Sequence, residues 1–286
     1  MNRRKSWLLA TGLLAAMINV MSAAASADSE ALDRVIEARS EADRARDDAR
    51  HPAETLAFFR VEPGMTVAEG LPGAGWYTRI LANYLGKDAA LYGVNYPEHM
   101  WPLFGRSDEW VAERRAATGK FVDQVREFTD NGISARGFTF DTVPAEIAGS
   151  VDRVLLIRAL HNLNRFEQVA GTRSQALAAV RGMLKEDGLV GVVQHRLPES
   201  APDEGADGSR GYLKQSAVID MFENAGFELV ASSEINANPK DQPGASDIVW
   251  RLPPSLSTSK QNPELRAAME AIGESDRMTL LFRKAP

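Results

Sequence analysis

Apolar residues recur along this chain in short runs separated by stretches of helical spacing, the pattern of βα units feeding a mostly parallel sheet. Runs at 65–69, 90–94, 134–140, 151–157, 189–194, 227–234 and 278–283 predict strands. The spacing predicts a helix over 76–85, where Trp76, Ile80, Leu81, Tyr84 and Leu85 share one face. It predicts another over 216–225, with Val218, Ile219, Phe222 and Ala225 recurring. Residues 97–130 are too long for a single connection, and Trp101, Phe104, Trp110, Phe121 and Phe128 point to an inserted helical region above the sheet. Residues 197–211 and 235–263 are rich in Pro, Gly, Asp, Ser and Asn and read as loops that flank a pocket.

The start of the chain has a different character. Arg3, Arg4 and Lys5 precede an apolar run from Trp7 to Met21, and small residues lead to Ala25-Ser26-Ala27. This three-part order is that of a secretory signal peptide over 1–27, and the apolar run, about 15 residues, is short of the roughly 20 that a spanning helix needs. The expectation is a periplasmic or secreted protein beginning near Asp28, with no stable membrane span after cleavage. Residues 28–50 carry 13 charged side chains in 23 positions and read as a solvated, loosely docked helical segment. Pro52 can open a helix carrying Leu56, Phe58 and Phe59, and the main domain, 51–286, is expected from here.

Composition narrows the functions. A chain of 286 residues with 44% hydrophobic content can bury a full core, and a net charge of -6 argues against a general nucleic-acid binder. Without cysteine there are no disulfides, thiolate metal sites or cysteine nucleophile, and no histidine–carboxylate spacing suggests a metal site. The sharpest local feature is Val67-Ala68-Glu69-Gly70-Leu71-Pro72-Gly73-Ala74-Gly75-Trp76: a strand ending in an acid, a glycine-rich turn, then a helix. Glycines let a backbone pass close to a ligand, and a helix N-terminus offers unpaired amides. A nicotinamide fingerprint would want a third glycine where Thr78 stands.

This stretch resembles the first motif of class I S-adenosylmethionine-dependent methyltransferases. Glu69 matches the acid, Gly73 and Gly75 match the last two glycines, and Leu71 occupies the place of the first. The wording Pro-Gly-x-Gly-Trp-Tyr resembles a subgroup of exported predicted methyltransferases, and the likeness covers about residues 50–286. Leu91 to Asn95 looks like the second strand, with Asn95 where an acid usually binds the ribose hydroxyls. Phe140-Asp141 resembles the adenine-contacting position. Val151 to His161 looks like the fourth strand, and Arg277 to Lys284 like the antiparallel last one.

The resemblance implies a Rossmann-like, seven-stranded, mostly parallel sheet with helices on both faces and an antiparallel C-terminal strand. It implies S-adenosylmethionine as cofactor, held by Glu69, Gly73, Gly75, Tyr77, Asn95 and Asp141, and methyl transfer to a small-molecule substrate. Of the four histidines, His161 and His195 fall just past strands at the carboxyl edge of the sheet, which makes them the candidates for a general base or acceptor contact. The competing reading is a non-catalytic exported binding protein on the same fold.

Overall fold

The structure, a computed structural model, describes residues 28–286, so the expected signal segment lies outside the described residues. Four short helices come first: α1 (28–37), α2 (Glu41–Arg44), α3 (Asp47–Arg50) and α4 (Pro52–Phe58). There follow β1 (Thr66–Gly70), α5 (Trp76–Tyr84), β2 (Ala90–Asn95), α6 (Asp108–Gly119), α7 (Phe121–Phe128), β3 (Ser134–Thr139) and β4 (Val151–Ile157). The chain continues with α8 (Leu160–Arg165), α9 (Glu167–Ala170), α10 (Thr172–Met183), β5 (Leu184–Leu197) and β6 (Leu213–Lys214). It closes with α11 (Gln215–Asn224), β7 (Phe227–Ser233), α12 (Pro263–Ile272) and β8 (Arg277–Lys284).

The sheet runs β3-β2-β1-β4-β5-β8-β7, with the two-residue β6 beside the end of β5. Strands β1 to β5 pair in parallel, and β8 lies antiparallel between β5 and β7. The fold is therefore the expected Rossmann-like one. From β1 the chain moves outward to β2 and β3 and then returns to the other side as β4, which opens a crevice at the carboxyl ends of β1 and β4 where ligands of such sheets bind.

Side chains alternate between the two faces of the sheet, as the two-residue period of a strand requires. Ala68, Val154, Val190 and Phe282 pack with α10 and α11 on one face. Val67, Leu155, Leu189 and Leu281 pack with α4 and α5 on the other. Fully burying such a side chain contributes about 1.5–3 kcal/mol. Glycine at 191 lets Phe59 lie flat on β5, since a Cβ there would stand 2.4 Å from the ring.

Two expectations need correction. Residues 28–50 are helical but not loosely docked: Leu32 is buried, and Arg50, 2% exposed, binds Glu274 near the other end of the chain. Strand β5 begins at Leu184 rather than 189, because Leu184 pairs with Val151 before the ladder shifts register at Arg153. The loop expected over 235–263 is present and is followed by α12, whose Asn262 side chain accepts the amide of Leu265 and whose first residue is Pro263. The inserted helical region is present as α6 and α7.

Candidate functional site

Glu69 ends β1 almost fully buried, and its carboxylate turns under the following turn to accept the Thr78 hydroxyl at 2.6 Å and the Thr78 amide. Burial pushes its pKa up to about 7, against these two bonds, which favour the charged form. The acid therefore ties the start of α5 to the sheet and does not line the cavity beyond. Expected among the residues that hold the cofactor, Glu69 instead supports the turn from beneath.

The turn itself departs from ordinary leucine conformation. Leu71 has φ +59°, left-handed backbone of the kind glycine adopts readily, and its amide is held by the Val94 carbonyl at 2.8 Å. The missing glycine is thus replaced in residue but not in shape. Gly73 (φ +58°) is exposed, and an added Cβ would meet nothing closer than 3.8 Å, so its backbone faces open space. Gly75 is glycine for another reason: a Cβ there would lie 2.5 Å from Phe128 of α7. Gln124 of α7 also donates to the Gly73 carbonyl at 3.2 Å.

Between this turn, the end of β2 and the insertion lies a cavity of about 280 Å³. Leu71 and Gly73 form one wall, Asn95 another, and Trp101, Phe104 and Trp110 a clustered aromatic cover with ring centroids 5.6–5.8 Å apart. The Asn95 amide donates to Thr118 at 2.9 Å, leaving its side-chain carbonyl without a partner among the described residues. Trp101 is 5% exposed, and its indole N–H has no acceptor among the described residues. A buried unpaired donor is costly, and this one belongs to a side chain that lines the cavity.

The remaining candidates divide. Tyr77 is buried beneath the N-terminal segment, its hydroxyl facing the Arg50 carbonyl at 3.5 Å rather than the cavity. Asp141 accepts the Thr139 hydroxyl and stands 3.9 Å from His99, outside the cavity wall. His161 and His195 do come together, with ring centroids 5.6 Å apart, across the entrance to α8. Asn162, next to His161, reaches the cavity, so the histidine pair and the cavity flank the same helix start.

Electrostatics around the pair oppose protonation. Burial, and the charges of Arg158 and Arg165, bring the His161 pKa down to about 4 although the Gln194 side chain, 3.4 Å away, favours the charged form. His195, 2.6 Å from the Ser275 hydroxyl, is held well below its ordinary value by burial and by the charges of His161 and Arg158. Both rings are neutral at pH 7, which leaves them able to accept a proton but weakly basic.

Arg158, which follows β4 directly, was not singled out in the sequence. It too has left-handed backbone (φ +59°), and burial and the charges of Arg50 and Arg277 lower its pKa to about 9. The signal was an arginine directly after the apolar run 154–157 and three residues before His161.

No family model matches the chain, and no curated protein matches it in sequence. Among solved structures, the [4+2]-cyclase SpnF superposes with a TM-score of 0.52 at 12% identity, over 83% of this chain and 81% of that one. The likeness is one of fold. A SAM-dependent methyltransferase from Aquifex aeolicus gives 0.46 at 15% identity, over 72% and 93%. A 1,6-didemethyltoxoflavin-N1-methyltransferase from Burkholderia thailandensis, solved with bound S-adenosylhomocysteine, gives 0.44 at 11%, over 100% and 93%.

Proposed function

We propose that the chain is an S-adenosylmethionine-dependent methyltransferase acting on a small-molecule acceptor. The observation that carries this reading is the open left-handed turn Leu71–Gly73, set at the switch point of the sheet against an aromatic cavity with an unpaired indole donor. The cavity suits the nucleoside part of the cofactor: its aromatic cover offers faces for adenine, and the Asn95 carbonyl and Trp101 N–H offer an acceptor and a donor. At about 280 Å³ it sits near the lower end of ligand pockets, roughly 300–1,000 Å³. Any longer ligand extends along the exposed backbone at Gly73.

When bound, S-adenosylmethionine supplies an electrophilic methyl group. The protein's share is to hold the acceptor in line with it and to take up a proton where the acceptor must lose one. In this reading Gly73 and Leu71 position the donor, and His161 accepts the proton from the acceptor. Tyr77 and Glu69 act by fixing α5 and the turn. Titration of the chain beginning at Asp28 with S-adenosylmethionine and S-adenosylhomocysteine, followed by calorimetry, tests the proposal: micromolar binding of either supports it, and binding of neither refutes it.

One observation favours a second reading, a binding protein or an enzyme of other chemistry on this fold. The Asn95 amide, at the position where the resemblance expects a group for the ribose hydroxyls, is already committed to Thr118. For location we propose export with cleavage after Ala27. Mass spectrometry of fractionated cells tests it, because an intact Met1 start in the cytosol would contradict cleavage.

A further inference from the structure

The N-terminal helices cross the carboxyl edge of the sheet and bring arginines distant in sequence to one place. Arg50 ends α3, Arg158 follows β4, and Arg277 opens β8 directly opposite His195. A single carboxylate serves this group. Glu274 accepts Arg50 Nε at 3.1 Å, approaches Arg277 at 3.2 Å and lies 4.0 Å from Arg46. The other acids of this edge are already paired, Asp276 with Arg196, Asp241 with Arg251 and Asp47 with Arg39.

Arg50 shares Glu274 and keeps one unused donor, and Arg158 has no anion of its own. The Arg50 side chain is 3% exposed and its Nη2 has no partner. Arg158 makes no side-chain hydrogen bond or ion pair among the described residues. Arg158 and His195 are half-buried, so the unpaired guanidinium keeps surface that a small ion can reach, with the charges of Arg50 and Arg277 close enough to bear on it. An unpaired charge in such a place is unfavourable unless a counter-charge arrives, and guanidinium forks match planar or tetrahedral oxyanions.

We propose that Arg50, Arg158 and Arg277 form an anion cage that takes the carboxylate or phosphate group of the acceptor. The cage stands on its own geometry; naming its occupant as the acceptor rests on the methyltransferase reading. Excess positive charge in the recess also favours an acceptor that reacts as an anion, which relieves the weakly basic His161 of part of the work.

The test uses the chain from Asp28 in low-salt buffer free of other oxyanions, with inorganic phosphate and benzoate as separate probes and melting temperature and calorimetry as readouts. At least one probe should raise the melting temperature of the wild type and bind. Response to phosphate alone identifies a phosphate-bearing occupant, and response to benzoate identifies a carboxylate. Arg158→Met should weaken that binding at least tenfold, leave S-adenosylhomocysteine affinity unchanged, and raise the melting temperature of the probe-free protein by removing an uncompensated charge. A purely structural arginine would lower it. Arg158→Lys should keep part of the binding. The proposal is overturned if neither probe binds the wild type, or if Arg158→Met binds as the wild type does. Failure of S-adenosylhomocysteine to bind while phosphate or benzoate binds would refute the methyltransferase reading and leave the cage standing.

Discussion

Replacing Glu69 by Gln changes how stability depends on pH, and the sign follows from burial. In the unfolded chain this carboxyl titrates near 4.5, and in the fold near 7. The folded state therefore holds the proton more tightly, so its contribution is fully present below pH 4.5 and is lost as pH rises through 7. At roughly 1.36 kcal/mol per unit, the loss is about 3 kcal/mol. His161 runs the other way. Its folded value near 4 lies below 6.5, so its contribution is present above pH 6.5 and is lost as pH falls through 4, again by about 3 kcal/mol.

Between pH 4.5 and 6.5 the Glu69 slope opposes that of His161 and of His195, which is also held below its ordinary value, so the variant isolates the carboxyl's share. Gln at 69 keeps an acceptor for the Thr78 hydroxyl and amide but has no proton to lose. Urea denaturation of Asp28-started wild type and Glu69→Gln at pH 5, 6, 7 and 8 should give curves that diverge with pH. The variant should gain about 3 kcal/mol on the wild type by pH 8, and its own stability should rise from pH 5 to 6.5. A difference that does not change with pH would show that the carboxyl is not buried as described, and the account of the turn would fall with it.

Gly73→Val should cost about 1–2 kcal/mol of stability, since a side chain enters left-handed backbone, and should abolish S-adenosylhomocysteine binding by blocking close approach; unaltered calorimetric binding would place the site elsewhere. Trp101→Phe removes the unpaired donor together with part of a buried ring system, so the melting temperature should fall by a few degrees while S-adenosylhomocysteine binding weakens about tenfold. His161→Ala should lower turnover by roughly a hundredfold or more with cofactor affinity near normal, and a matching fall in cofactor binding would mark the ring as structural.

The strands and the glycine turn were legible because their signals are local: apolar runs of strand length, an acid, and two glycines before a helix. The aromatic cover was legible too, since Trp101, Phe104 and Trp110 stood out in a connection too long to be a simple loop. What escaped was either conformational or distant. Nothing in the sequence announces that Leu71 takes left-handed backbone, because leucine seldom does; the Val94 carbonyl and the strand beneath impose it. The direction of the Glu69 carboxylate depends on Thr78, whose absence of a glycine side was the only feature noted in the sequence. The charged segment looked solvated because Arg50 and Glu274 are 224 positions apart, beyond any periodicity. Tyr77 and Asp141 sit at motif positions, but their side chains are engaged by neighbours that the motif does not specify.

That same distance orders events in the life of the molecule. Helices α1 to α4 leave the ribosome before the sheet does, yet Arg50 lacks Glu274 and Ala49 lacks Arg277 until the stretch before and into β8 has been made. Closing a loop of this length is entropically costly and rewards no contact along the way. The earliest-synthesised part is therefore the last to be fastened, and a nascent or C-terminally truncated chain has no roof over its arginines.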